Sequence, residues 1–196
     1  VTVAGVSIND GNSGNNYNIT YADNTTSTIN RANLTLSTGD VTKTYDGTLS
    51  ALGTLAVTGG TLFSNASNGG ALDTVSGGTF AFANANAGVG NKTVTVSGAT
   101  ISDGNSGNNY NVTYADNTTS TINRANITLG TSDVTKTYDG TLNAAGSALL
   151  TSGTLFSNAS NGNVLDSIAG GTFAFTNANA GVGNKTVTVA GVSIND

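Results

Sequence analysis

Across the most regular segments of this chain, apolar residues recur at every second position. Val94, Val96 and then Ile101 alternate with Thr and Ser, Tyr110, Val112 and Tyr114 alternate with polar residues, and Thr79-Phe80-Ala81-Phe82 repeats the pattern. A period of two sends successive side chains to opposite faces, so these segments predict half-buried strands. The punctuation agrees. Asp-Gly at 46–47 and 103–104 and Asn-Gly at 68–69 are turn dipeptides, and Thr, Val, Tyr and Phe are strand formers. Only residues 142–150 (LNAAGSALL) read as a short helix, and their counterpart 49–57 (LSALGTLAV) contains Gly53 and alternates better as a strand. The expected class is all-β.

The pattern is written twice. Residues 10–17 (DGNSGNNY) recur at 103–110 and residues 41–49 (VTKTYDGTL) at 134–142, a constant offset of 93. Across residues 1–93 and 94–186, 72 of 93 positions are identical without an insertion, and residues 187–196 are identical to residues 1–10. The chain therefore reads as a segment of a longer array. The expected linker is the short polar stretch 29–33 (INRAN), with its copy 122–126. On this frame 1–31 is the C-terminal part of one repeat, 32–124 is one complete repeat, and 125–196 is the N-terminal part of the next. The two outer pieces are complementary: 11–31 corresponds to 104–124 and 125–196 to 32–103.

A repeat of 93 residues is long enough for one small core. Its expected members are Leu34, Leu36, Val41, Leu55, Phe63, Phe80, Phe82, Val94, Val96, Ile101, Tyr110, Val112 and Ile122. Tandem small β domains, sandwich-like or β-grasp-like and strung into an elongated rod, fit this pattern. A parallel β-helix is the rival architecture, but no subperiod of about 20 residues, as short stacked rungs require, runs through the sequence.

Composition narrows the chemistry. Thr, Asn, Gly and Ser fill 107 of 196 positions, and Cys, His, Met, Trp, Pro, Glu and Gln do not occur. Without His or Cys there is no Ser-His-Asp or Cys-His nucleophile and no N/S ligand set for a transition metal, so no enzyme is expected and no catalytic residue is assigned. Six Lys and Arg against eleven Asp leave no basic footprint for a nucleic acid. No apolar run of membrane-spanning length occurs, so membrane insertion is not expected. A chain free of Cys and Pro suits passage through a narrow export pore and fast folding on emergence.

Two segments carry candidate sites. Lys43, Tyr45, Asp46 and Gly47, with their copies Lys136, Tyr138, Asp139 and Gly140, form a compact charged motif. It reads as structural, with Asp-Gly as a turn, Tyr on the core and Lys as a partner for Asp. The loop 103–109 (DGNSGNN) spaces oxygen ligands like a calcium loop, and Asp103 and Asn105 would be the ligands. One carboxylate is too few and Tyr114 stands where the twelfth position needs Glu, so no cofactor is expected, calcium included.

Segments 29–36 (INRANLTL), 43–48 (KTYDGT), 86–98 (NAGVGNKTVTVSG) and 107–110 (GNNY) fall in an order that resembles the YDG repeat and the related MBG repeats. The departures are Arg31 and Arg124, where the family often carries proline, and Leu72-Asp73, a loose echo of its Gly-Asp. This resemblance implies a β-rich stalk in a long secreted surface protein, such as a filamentous-haemagglutinin-like adhesin, outside a Gram-negative-type cell. Its expected work is surface projection, adhesion and biofilm formation, with neighbouring repeats of the same chain as partners and a host or matrix ligand left open. Two alternatives stand beside it. One is a self-associating filament or matrix subunit in which identical chains exchange strands, and the other is a carbohydrate-binding repeat.

Overall fold

The computed structural model describes residues 1–196 and is all-β. Within residues 32–124 the strands are β1 (Ala32–Thr38), β2 (Thr42–Thr44), β3 (Leu55–Gly59), β4 (Ser64–Asn65), β5 (Ala71–Leu72), β6 (Thr74–Phe82), β7 (Gly88–Ser102), β8 (Tyr110–Tyr114) and β9 (Asn117–Asn123). They form two principal sheets, ordered β3-β1-β8 and β2-β9-β7-β6, with β4 and β5 as a separate small hairpin. The sheets mix antiparallel hairpins with parallel β1/β8 and β2/β9 pairs, and no stack of rungs forms, so the architecture is not a β-helix.

The β6/β7 hairpin ties the repeat together. Its register runs from Thr74 opposite Ser102 to Phe82 opposite Val94. Midway, Gly77, Gly78 and Gly98 all take positive φ, a conformation that costs glycine little and L side chains much. Beyond this point the two ends of the hairpin serve different cores. Val75, Ala99 and Ile101 pack with Leu34, Leu36 and Tyr110 in one cluster, while Phe80, Phe82 and Val94 pack with Val41 and Ile122 in the other.

Strand β9 (NTTSTIN) offers a single apolar side chain yet lies between β2 and β7. Ile122 is completely buried, and so is Ser120, whose Oγ accepts from the Val41 amide (2.9 Å) and donates to Asn117 Oδ1 (2.7 Å). A buried hydroxyl costs little when its hydrogen bonds are made. The expected linker is thus largely strand: Ile122 and Asn123 end β9, Ala32 and Asn33 begin β1, and the connection before the next strand is only residues 124–127.

Most of the expected core is buried, with Leu55, Phe80 and Val112 half-buried at its edge. Phe63 is a correction. It is 54% exposed, and only its backbone meets the core, the amide donating to Tyr110 Oη at 2.9 Å.

Residues 125–196 retrace the first part of the repeat with β10 (Thr128–Thr131), β11 (Ala148–Ser152), β12 (Ser157–Asn158), β13 (Val164–Leu165), β14 (Ser167–Phe175) and β15 (Val187–Asn195). The possible helix at 142–150 does not form, since residues 148–150 enter β11. Residues 1–31 carry no strand, and Val1 and Asn24 share a pair of backbone hydrogen bonds. No helix of the chain is long and apolar enough to cross a membrane.

Candidate functional site: the junction between repeats

The Lys-Thr-Tyr-Asp-Gly-Thr motif builds itself from local bonds. Lys43 Nζ donates to Asp46 Oδ1 (2.7 Å) and to the Thr48 carbonyl (2.7 Å), and the Thr48 amide donates to the same Asp46 oxygen (2.9 Å). The ammonium also stands 5.4 Å from the centre of the Phe82 ring. Burial pushes the Asp46 carboxyl up, but Lys43 and Thr48 outweigh it and hold the group below the ordinary carboxylate range. The copy has the same geometry. Lys136 reaches Asp139 at 2.7 Å and Phe175 at 5.7 Å, and its hydrogen bond is the chief reason Asp139 titrates at about 2. Gly47 and Gly140 likewise share φ values of 75° and 74°.

The surroundings of the copies differ. Tyr45 reaches out of its own repeat: its Oη donates to Asp166 Oδ2 (2.8 Å), and its ring meets the Phe156 ring edge-on, with centroids 5.8 Å apart. The Gly47 carbonyl accepts from the Ala159 amide (2.8 Å), Ser160 Oγ accepts from the Ala85 amide (2.6 Å), and Asn158 Nδ2 donates to Asn86 Oδ1 (2.9 Å). Residues 156–161 include β12 and the 3-10 turn Ala159–Asn161, so the motif of one repeat docks on the 3-10 turn of the next. Gly47 is pressed so closely there that a Cβ would stand 2.2 Å from the Ser157 carbonyl oxygen. Around Gly140 the same atom would meet nothing, and Tyr138 is 67% exposed.

The docking element is therefore preformed, since the copy that docks on nothing keeps the same internal bonds. Little conformational freedom is lost on docking, which is how a contact of a few hydrogen bonds and one aromatic pair holds. A cleft of about 350 Å³ runs beside it, bordered by Tyr45, Arg124, Ile127, Asp166 and Ile194.

The acidic loop does a different job. Asp103 is fully buried, its Oδ1 accepting from the amides of Asn105 and Gly107 (2.8 Å each) and its Oδ2 from that of Asn109 (3.0 Å). Burial raises its pKa, and the amides more than offset that and hold it low. Three N–H dipoles aimed at the carboxylate leave a cation at Asp103 and Asn105 facing positive charge. The loop is a backbone nest closed on its own Asp, and Asp10 repeats it with Asn12, Gly14 and Asn16.

Sequence reasoning missed the junction partners Phe156, Ser160 and Asp166. Asp73, the copy of Asp166 within the first repeat, is buried and receives Tyr110 Oη at 2.7 Å. The available signal was a Phe repeated at 63 and 156 with no strand pattern around it.

Burial, then the hydrogen bond and charge of Asp166, push Tyr45 up to about 12. A raised pKa in the docked state means this bond contributes fully below the free-tyrosine value of about 10 and is lost between there and about 12. A ring-carbon NMR titration is expected to show two raised tyrosines, Tyr110, pushed up by burial and its bond to Asp73, and Tyr45, at about 12; only the Tyr45 signal disappears in Tyr45→Phe and returns towards the ordinary value in Asp166→Asn. Tyr45 titrating normally in the intact chain would mean that the junction does not form.

These features define a class: a tandem β-repeat protein whose units are joined through a repeated turn motif. The sequence profile of the YDG domain matches residues 30–120 and 123–196, and the chain belongs to that family. No curated protein and no solved structure is significantly similar to it.

Proposed function

We propose that the chain is a structural module in the stalk of a secreted bacterial surface adhesin, where repeats set a distance between the cell and a distal binding region. The observation that carries this reading is the preformed junction, which couples a turn of one repeat to a turn of the next through a motif that recurs, with the same internal bonds, after 93 residues. A surface of Thr, Asn and Ser hydroxyls and amides keeps such a stalk hydrated with few charges. No residue is asked to do chemistry, and the partners are neighbouring repeats.

Small-angle scattering on chains of two, three and four repeats tests the mechanical part. A constant gain in length per repeat is expected, and growth as the square root of repeat number, the behaviour of a flexible string, would refute it. Antibody against residues 32–124 is expected to label intact cells of the source bacterium, and label only after lysis would refute the surface assignment.

A further inference from the structure

The turn between β6 and β7 hides a lysine without an ion partner. Lys92, on β7, is 7% exposed, and burial pulls its ammonium below the ordinary lysine range. The ion pairs of the chain are Lys43–Asp46 and Lys136–Asp139, so no carboxylate meets it. Its Nζ donates instead to the side-chain oxygen of Asn84, just beyond the bond from the Ala83 amide to the Thr93 carbonyl (2.9 Å). Gly88 lets the turn fold over the lysine stem, since a Cβ there would stand 2.9 Å from Lys92 Cδ. The copy repeats the arrangement: Lys185 reaches Asn177 at 2.7 Å, and a Cβ on Gly181 would stand 2.8 Å from Lys185 Cε.

A buried ammonium is costly unless an acceptor takes its hydrogen bonds. Any turn conformation that swings Asn84 outward strips the charge of that acceptor, so Lys92 selects the conformation that keeps Asn84 inward. The next two residues then meet the adjoining repeat. The Ala85 amide donates to Ser160 Oγ (2.6 Å), Asn86 Oδ1 accepts from Asn158 Nδ2 (2.9 Å), and Ala85 is completely buried. Asn158 Oδ1 in turn accepts from the Ser160 amide (2.9 Å), capping the 3-10 turn Ala159–Asn161. The tyrosine motif holds this same turn through a different element, by way of the Ala159 amide and the Phe156 ring. The segments that build both contacts, 43–48, 60–68 and 84–92, recur unchanged after 93 residues, whereas 55–57 (LAV) becomes ALL at 148–150.

We infer that Lys92 is a positioning residue for the junction: it presets residues 84–86 as a second arm that, together with the Tyr45–Gly47 turn, fixes the angle at which the next repeat is held. A single attachment leaves an axis about which two repeats swivel, and a second attachment from another element closes it. The tyrosine motif thus governs attachment, and the Lys92 arm governs bending and torsion. This division of labour rests on the stalk reading, in which a fixed angle between repeats is what turns docking into a rod. An apolar side chain of the same length would fill the space of the lysine stem but would place no demand on Asn84.

Residual dipolar couplings of the full chain in a dilute aligned medium test this. In the wild type, residues 32–124 and 125–196 are expected to fit one alignment tensor. In Lys92→Met, which keeps the buried stem and removes the ammonium, the two repeats need separate tensors and the Ala85 amide exchanges about tenfold faster, the loss expected for one buried hydrogen bond. Tyr45 still titrates above its ordinary value there, because the first attachment is intact. Asn84→Asp, which offers the ammonium a carboxylate, keeps the wild-type orientation and the protection of Ala85. Ser160→Ala leaves Lys92 and its turn untouched, removes only the grip on the next repeat, and gives the same two tensors, so the outcome does not hang on how Lys92→Met folds. A shared tensor and a protected Ala85 amide in Lys92→Met overturn the proposal, as does a shared tensor in Ser160→Ala. Neither result touches the stalk reading, which rests on surface labelling and on the length gained per repeat.

Discussion

Gly47→Ala uncouples the two repeats, while Gly140→Ala does not. Both glycines sit at φ near 75° in the same turn, so both substitutions meet the same backbone penalty for an L residue in the left-handed region, about 1–2 kcal/mol. Only Gly47 faces a neighbour, with Ser157 O 2.2 Å from the added Cβ and the Phe156 Cβ at 3.1 Å. Backbone on both sides of that contact cannot rotate away, so relief comes by separation. Separation gives up the Tyr45–Asp166 bond, the Gly47–Ala159 bond and the Tyr45–Phe156 edge contact at once. Each is worth about 1 kcal/mol. The pair thus isolates the junction from the turn. In Gly47→Ala, NMR relaxation is expected to show two repeats tumbling separately, fast exchange at the Ala85 amide and normal Tyr45 titration. Gly140→Ala should lower the melting temperature modestly and leave those three observables in place. Equal effects of the two substitutions would show that the motif acts within its own repeat.

The contrast between Tyr45 and Tyr138 marks how far the sequence could be read. Spacing alone exposes what is local: Lys43 and Asp46 are three residues apart, Asp46 precedes Gly47, and period-two alternation locates β6, β7 and β8. The junction depends on residues 121 positions apart, Tyr45 and Asp166, and nothing in either segment points to the other. Phe63 shows the same failure from the opposite side. An apolar ring in a small repeat is expected in that repeat's core, yet its copy Phe156 finds its aromatic partner in Tyr45 of the adjoining repeat. Strand β9 was obscured for a third reason. With one isoleucine in seven residues it reads as a polar connection, and only the hydrogen-bonded burial of Ser120 and the two flanking strands make it the centre of a sheet.

Phe82→Ala should remove a large part of the stability of residues 32–124. Phe82 is 1% exposed and packs with Val41, Val94 and Ile122, in a cluster with only four fully buried members. Truncating a buried Phe costs about 3–5 kcal/mol through lost transfer energy and the cavity left behind. A 93-residue unit has about 5–14 kcal/mol in total. The ring also holds the Lys43 ammonium at 5.4 Å, a contact of about 0.5–1 kcal/mol, and Lys43 is the group that clamps the Asp46-Gly47 turn. Loss of Phe82 therefore reaches the junction as well as the core. Phe175→Ala removes the same side chain from residues 125–196, where no strand stands in the place of β9: Phe175 is 8% exposed and Val134 and Val187 are only partly covered. There the surrounding side chains can relax into the space, and the cost should be about half or less. Urea unfolding followed by amide exchange in β7 and β15 separates the two: Phe82→Ala lowers protection in β7 far more than Phe175→Ala lowers it in β15. Comparable losses would mean that the two clusters are equally closed and that burial by β9 adds nothing to the first.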